Sequence, residues 1–238
     1  MSVNKKMTAI ADTIRSHTGG TDKLFLDDMP LAIETACTAE YEKGLAEGQA
    51  SGQVYADRIW EAIQKGGTRT FYDQMLGGIQ WTDAVYHPKY DIKCEGSEGA
   101  RETFIRSNIT STKVPIRCKN TRLAYTFAYC FQLKTIPLLT LEGITQINNA
   151  FTSCVALEDI TMEGEIPLSI NFQHSTKLTK ESITSIINAL SDTASGQTLT
   201  LSQTAVDTAF YSDEMLGSDT GGWASLVNAK PNWIISLV

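Results

Sequence analysis

The chain has 238 residues, 42% of them hydrophobic and 20% charged, and carries a net charge of −7. This composition excludes a disordered chain, and the acidic balance argues against nucleic acid or an anionic membrane as the main partner, since both call for basic patches. No apolar run reaches the ~18 residues that a spanning helix needs, so no membrane segment is expected.

The opening Met1-Ser2-Val3-Asn4-Lys5-Lys6 leads into an amphipathic stretch, and no secretory signal is expected. Ile10 and Ile14 stand one helical turn apart, and Gly19-Gly20 ends that short helix. Leu24-Phe25-Leu26 reads as a brief extended piece, after which Asp27 or Asp28 can cap a helix. A helical pattern then runs from about 28 to 65, continuous or broken, until Gly66-Gly67. Within it, Gly44, Gly48 and Gly52 recur at spacing four after Tyr41. Two readings stay open. The glycines either mark a loop or broken helix, since each costs about 1 kcal/mol in a helix interior, or form a stripe where helices approach closely. On the second reading Tyr41, Gly44, Leu45, Gly48 and Gly52 are oligomer-interface candidates.

Five aromatics, Phe71, Tyr72, Trp81, Tyr86 and Tyr90, then fall close together among turn signals. Trp81, Tyr86 and Tyr90 are glycan-binding candidates, because aromatics in polar loops stack on sugar rings. The competing reading is a small aromatic core that joins the helical region to the C-terminal part of the chain. The polar run from Cys94 to Glu102 reads as a linker or exposed turn, and Val114, Ile116 and Cys118 alternate as a strand would.

The strongest signal is a phrase that occurs twice. Phe127, Cys130, Leu133 and Ile136 return at an offset of 24 residues as Phe151, Cys154, Leu157 and Ile160, and a decayed copy comes next at Phe172, Ser175 and Leu178. Repeats of this length predict a stacked solenoid, because each repeat buries its apolar edge only against its neighbours. Cys130 and Cys154 then occupy equivalent places roughly 4.8 Å apart, as buried thiols or as a bridge. Beyond Leu178, Thr179 caps a helix with Ile183, Ile186, Ile187 and Leu190 on one face. Thr198–Leu201 reads as a strand, Val206 and Phe210 as a loose continuation of the repeat, and Trp233–Val238 as a closing strand.

No catalytic constellation is legible. His17, His87 and His174 lie in unrelated segments, the cysteines form no C-x-x-C pair, and no serine has a nucleophile context. A glycoside hydrolase needs two carboxylates facing across a cleft, which a single repeat does not offer. The chain is therefore read as a binding or structural protein without cofactor or metal, and not as an enzyme.

The phrase Phe-x-x-Cys-x-x-Leu-x-x-Ile, with Ala150 before it and turns such as Glu142-Gly143-Ile144, resembles the BspA-like class of leucine-rich repeat over roughly residues 104–238. The resemblance implies a right-handed solenoid with one short parallel strand per repeat and a protein-binding or adhesive surface. A second resemblance concerns the N-terminal half. Ile10, Ala11, Asp12, Ile14, Arg15, Gly19, Gly20 and Thr21, continued by Leu26-Asp27-Asp28-Met29-Pro30, look like the opening of tail or baseplate proteins from phages and prophages of Gram-positive bacteria. Tyr41, Gly44 and Gly48, and more loosely Trp81 and Tyr86–Asp91, match segments common in such proteins.

The architecture expected is α+β. Residues 1–65 form a helical attachment and oligomerisation region, 66–103 an aromatic-rich connecting module, and 104–238 a leucine-rich-repeat solenoid with a C-terminal cap. The resemblance implies a virion protein made in the host cytoplasm, a tail or baseplate fibre for host recognition. Its partners would be other virion proteins and a host cell-surface glycan or protein, and a homotrimer is the first expectation by analogy. The alternatives are a head fibre or capsid decoration protein, or a bacterial surface adhesin.

Overall fold

The computed structural model describes residues 79–211 and 222–238 throughout, together with 67–72 and scattered positions between 43 and 65. The chain divides into two units, residues 1–55 and 56–238. In the first, the described positions 43, 46–48, 50, 53 and 54 are all helical. Gly48 is among them and is exposed, whereas Tyr41, Gly44, Leu45 and Gly52 lie outside the described residues.

The second unit is mixed α/β, built from parallel sheets and few helices. Strands β1 (Arg69–Tyr72), β2 (Ile92–Glu95), β3 (Ile116–Lys119), β4 (Thr135–Glu142) and β5 (Asp159–Gly164) form one sheet. Their spatial order is their chain order, and every neighbouring pair is parallel. A second sheet joins β6 (Ile170–Phe172), β7 (Gln197–Leu201) and β8 (Trp233–Leu237), again parallel and in order. Of three short helices, α1 (Lys180–Asn188) packs beside β5, where Ser182 and Ser185 accept from the N–H groups of Ile160 and Met162, and α2 (Gln203–Phe210) and α3 (Trp223–Asn228) follow β7 and precede β8.

Register explains why these short strands form. Ile92, Ile116 and Leu139 are paired partners across β2–β4, as are Cys94, Cys118 and Leu141, and all six are buried. The residues between them, Lys93, Arg117 and Thr140, alternate to the opposite face. The β4–β5 ladder shifts register between Ile136 and Leu139, where Pro137 has no N–H to donate.

The turns opposite the strands are also bonded from repeat to repeat. Glu102, Phe104 and Arg106 donate their N–H groups to the carbonyls of Ala124, Thr126 and Ala128. Tyr125, Phe127 and Tyr129 do the same to Asn148, Ala150 and Thr152. Left-handed backbone at Glu102, Arg106, Tyr125 and Tyr129 turns alternate peptides toward the next repeat.

Between strands and turns runs a column of aromatic rings. Phe104 stacks on Phe127 at 5.3 Å, Phe127 on Phe151 at 5.4 Å, and Phe151 on Phe172 at 4.5 Å. The other repeat positions, Cys130, Leu133, Ile136, Cys154, Leu157, Ile160 and Leu178, are all buried beside it.

Four expectations change. The run from Cys94 is a turn and no linker: it opens inside β2, with Cys94 wholly buried, and 97–106 are turn residues. A two-residue alternation of apolar and charged residues is too short to reveal a strand whose burial comes from its neighbours. Phe104 and Ser107 form an earlier copy of the repeat, missed because its buried apolar residue, Ile109, comes one place early and leaves exposed Thr110 at the leucine spacing. Val206 and Phe210 belong to α2, where both are buried, and do not continue the repeat. Their spacing of four fits a helix as readily. The strands do not make one continuous run either, since β6–β8 form a sheet separate from β1–β5.

The helix after Thr179 and the strands β7 and β8 follow the pattern read from the residues, except that α1 ends at Asn188 and Leu190 lies beyond it, bridged to Ile166. Thr179 Oγ1 accepts from Ser182 N at the start of α1, and Ile183, Ile186 and Ile187 face inward. Lys230 Nζ donates to Leu190 O at 2.6 Å and meets Asp192 at 2.7 Å, and Trp233 Nε1 donates to Ser191 O. These bonds fix the chain leading into β8.

Phe151 has a phenyl ring on each side, so Phe151→Ala opens a gap that neither neighbour can close. A loss of about 3–5 kcal/mol in chemical denaturation is expected, and a loss below about 1 kcal/mol would show that the column does not hold the stack.

Candidate functional site

The outward face of the five-stranded sheet carries one side chain per strand on each rung. Lys93, Arg117, Thr140 and Glu163 are paired in register along one rung. Glu95, Lys119 and Glu142 form the next. Between these rungs lies a shallow groove of about 580 Å³ that ends at Gly164. Gly164 has φ of 99°, and a Cβ there would strike the carbonyl oxygen of Leu141, so the groove floor requires glycine.

Opposite charges alternate across this face. Arg117 pairs with Asp91, and Lys119 with Glu142 at 2.8 Å. The Glu142 carboxylate, accepting from the Lys119 ammonium, pushes that lysine above its ordinary range. Beside the sheet, Glu98 holds Arg122 at 2.6 Å and Arg101 at 3.2 Å. Such a surface offers paired donors and acceptors to a polar partner at many points. It holds no histidine, and its one cysteine, Cys118, is buried.

The aromatic candidates separate. Tyr86 is wholly buried, its ring 5.3 Å from Trp60, 5.7 Å from Trp81 and 5.5 Å from Phe104. Its hydroxyl donates to Thr112 O, and Trp81 Nε1 donates to Thr103 O. Trp81 and Tyr86 are thus core residues that extend the phenylalanine column and cannot stack on a sugar. Of the three, only Tyr90 is exposed. Trp60, which no repeat pattern flagged, joins the cluster through Nε1, donating to Val85 O at 2.6 Å.

The thiols follow the buried reading. Cys94, Cys118, Cys130 and Cys154 are free and buried. Cys130 donates its S–H to Phe104 O at 2.8 Å, and Cys154 donates to Phe127 O at 3.1 Å. Each thiol bonds the preceding repeat, as Ser175 Oγ does to Cys154 O in the decayed copy. Burial pushes Cys130 up to about 12 and raises Cys154 as well. Cys118 is raised by its hydrogen bond with Cys94 and by burial.

The two described histidines lie apart. His87 Nδ1 lies 3.3 Å from Asp57, and His174 is exposed at the far end of the repeats. Among the described residues no three His, Cys, Asp or Glu side chains are grouped to hold a metal. His17 lies outside the described residues.

Comparison with protein-family models, curated proteins and solved structures finds no match to the chain.

A raised thiol stays protonated and unreactive below its shifted value. At pH 8 the four buried cysteines should not react with a disulfide reagent in the native protein, and all five cysteines should react in denaturant. Fast native reaction of two or more thiols would contradict the burial.

Proposed function

We propose that this chain is a structural protein of a phage particle, a short tail or baseplate fibre that presents a repeat surface for host recognition. On this reading the parallel stack is a BspA-like leucine-rich-repeat solenoid. The N-terminal helical region attaches the chain to the particle and joins copies, with a trimer as the expected state.

The observation that carries the proposal is the in-register column of Phe104, Phe127, Phe151 and Phe172, bonded from repeat to repeat on both the strand and the turn side. A stack of this kind spends its apolar residues on its own interior and leaves regular rows of side chains outside. Those rows carry charges and hydrogen-bonding groups with no grouped catalytic set among the described residues, which suits recognition rather than turnover. The phage setting rests on the residues of the opening, Ile10 to Thr21. Several modest sites on one oligomer gain a factor of about 10²–10⁴ in apparent affinity, as a particle that lands on a repetitive cell wall requires.

Full-length protein applied to intact cells of candidate Gram-positive hosts should bind saturably, and purified wall polysaccharide should compete. Absence of binding across such hosts would remove host recognition and leave a role inside the particle.

Gly48 is helical, and among the described residues nothing lies within 4 Å of where its Cβ would stand. Gly48→Leu therefore meets none of the described residues and is the substitution to read on a partner helix. A shift to smaller species in sedimentation velocity is expected; an unchanged oligomer would eliminate Gly48 as an interface residue.

A further inference from the structure

The turn side of the repeats carries a second row of side chains, set by the phenylalanine column. Arg106, Tyr129, Ser153 and His174 each stand two residues beyond a stacked ring, so the register of the column places them side by side. Hydrogen bonds tie the row together. Arg106 N donates to Ala128 O, Tyr129 N to Thr152 O, and Ser153 N to His174 Nδ1. Phe131 and Val155, four residues beyond their rings, form a neighbouring row.

This side exposes apolar surface that the fold does not use. Phe131 is 53% exposed, Val155 44% and Tyr129 37%. Tyr129 and Phe131 have ring centroids 6.3 Å apart, and the Arg106 guanidinium lies 5.8 Å from the centre of the Tyr129 ring. Tyr129 has φ of 63°, a conformation that favours glycine or asparagine. Neither the backbone nor the core asks for a tyrosine there.

Charge identifies the occupant. In a chain of net charge −7, segments 105–108, 129–132, 152–156 and 173–177 contain Arg106, His174 and Lys177 and no carboxylate at all. Of the flanking acids, Glu102 pairs with Arg101 at 3.1 Å, Asp159 accepts from Thr179 at 3.2 Å, and Glu158 is half-buried beyond Leu157. Amides stand along the same rows: Asn108 at the place equivalent to Phe131, Gln132 beside Phe131, and Gln173 beside His174.

We propose that this turn-side row is a binding platform for an anionic polysaccharide. Tyr129 and Phe131 would stack on pyranose faces, Arg106 would meet the uronate or phosphate, and the amides would bond ring hydroxyls. A row that repeats once per turn of the stack suits a polymer that also repeats. The proposal rests on the host-display reading and assigns it a ligand class and a site away from the charged sheet face.

The test uses full-length protein titrated calorimetrically with a phosphorylated mannan and with polygalacturonate, and with dextran as the neutral control. Binding to at least one anionic polymer that weakens with salt, with none to dextran, is expected. Tyr129→Asn suits the backbone at that position and should melt no lower than the parent. Tyr129→Asn and Phe131→Ser should each weaken binding about tenfold or more, and Arg106→Gln should remove the salt dependence. Equal binding by parent and variants, or preference for dextran, would overturn the site or its ligand class. Should the parent bind host cells while these variants bind them equally well, the site falls and the display reading stands. Should it bind the anionic polymer through Tyr129 but no host cell, the site stands and the display reading falls. Loss of Tyr129-dependent cell binding on protease treatment alone would mark a protein ligand and overturn the glycan.

Discussion

The structure depends on each repeat finding its hydrogen-bond partners in the next one. A short strand of four residues, such as Ile116–Lys119, bonds to β2 on one edge and β4 on the other. The turns opposite are bonded as well, Phe104 to Thr126 and Phe127 to Ala150. With both sides of a repeat fixed to its neighbour, only one register satisfies the backbone. The stacked rings then fill the space between and turn that register into buried apolar surface.

This constraint assigns the side chains their tasks. Positions that face the column must be apolar or must bond a backbone group, which is why cysteine and serine interchange at Cys130, Cys154 and Ser175. Buried Thr126 meets the same demand by donating to the carbonyls of Ala100 and Leu123. Positions that face outward are free of the fold, and there the chain departs from uniformity. The sheet face carries paired charges of both signs, whereas the turn side carries exposed aromatics and a local excess of cations.

Parts of this organisation were legible because they are local. The Thr179-capped helix declares itself through its cap and its isoleucines, and β7 and β8 through concentrated β-branched and aromatic residues. The repeat phrase around Phe127 and Phe151 named the core positions because equivalent residues meet the same neighbours. Its copy at Phe104 escaped notice because threonine stands where leucine was sought. Strand β2 escaped because Ile-Lys-Cys-Glu holds only two apolar residues, and nothing in four residues marks them as buried.

The sequence by itself determined the offset and the buried positions of the copies around Phe127 and Phe151, since residues recurring at a fixed offset must meet when the chain stacks. Only the tertiary structure decided that Trp81 and Tyr86 lie inside while Tyr129 and Phe131 lie outside. All four are aromatics at positions the repeat phrase does not name, and local pattern cannot separate them. The difference comes from long-range contacts: Trp60, Phe104 and the Thr112 carbonyl close around Tyr86, whereas left-handed backbone carries Tyr129 out of the column.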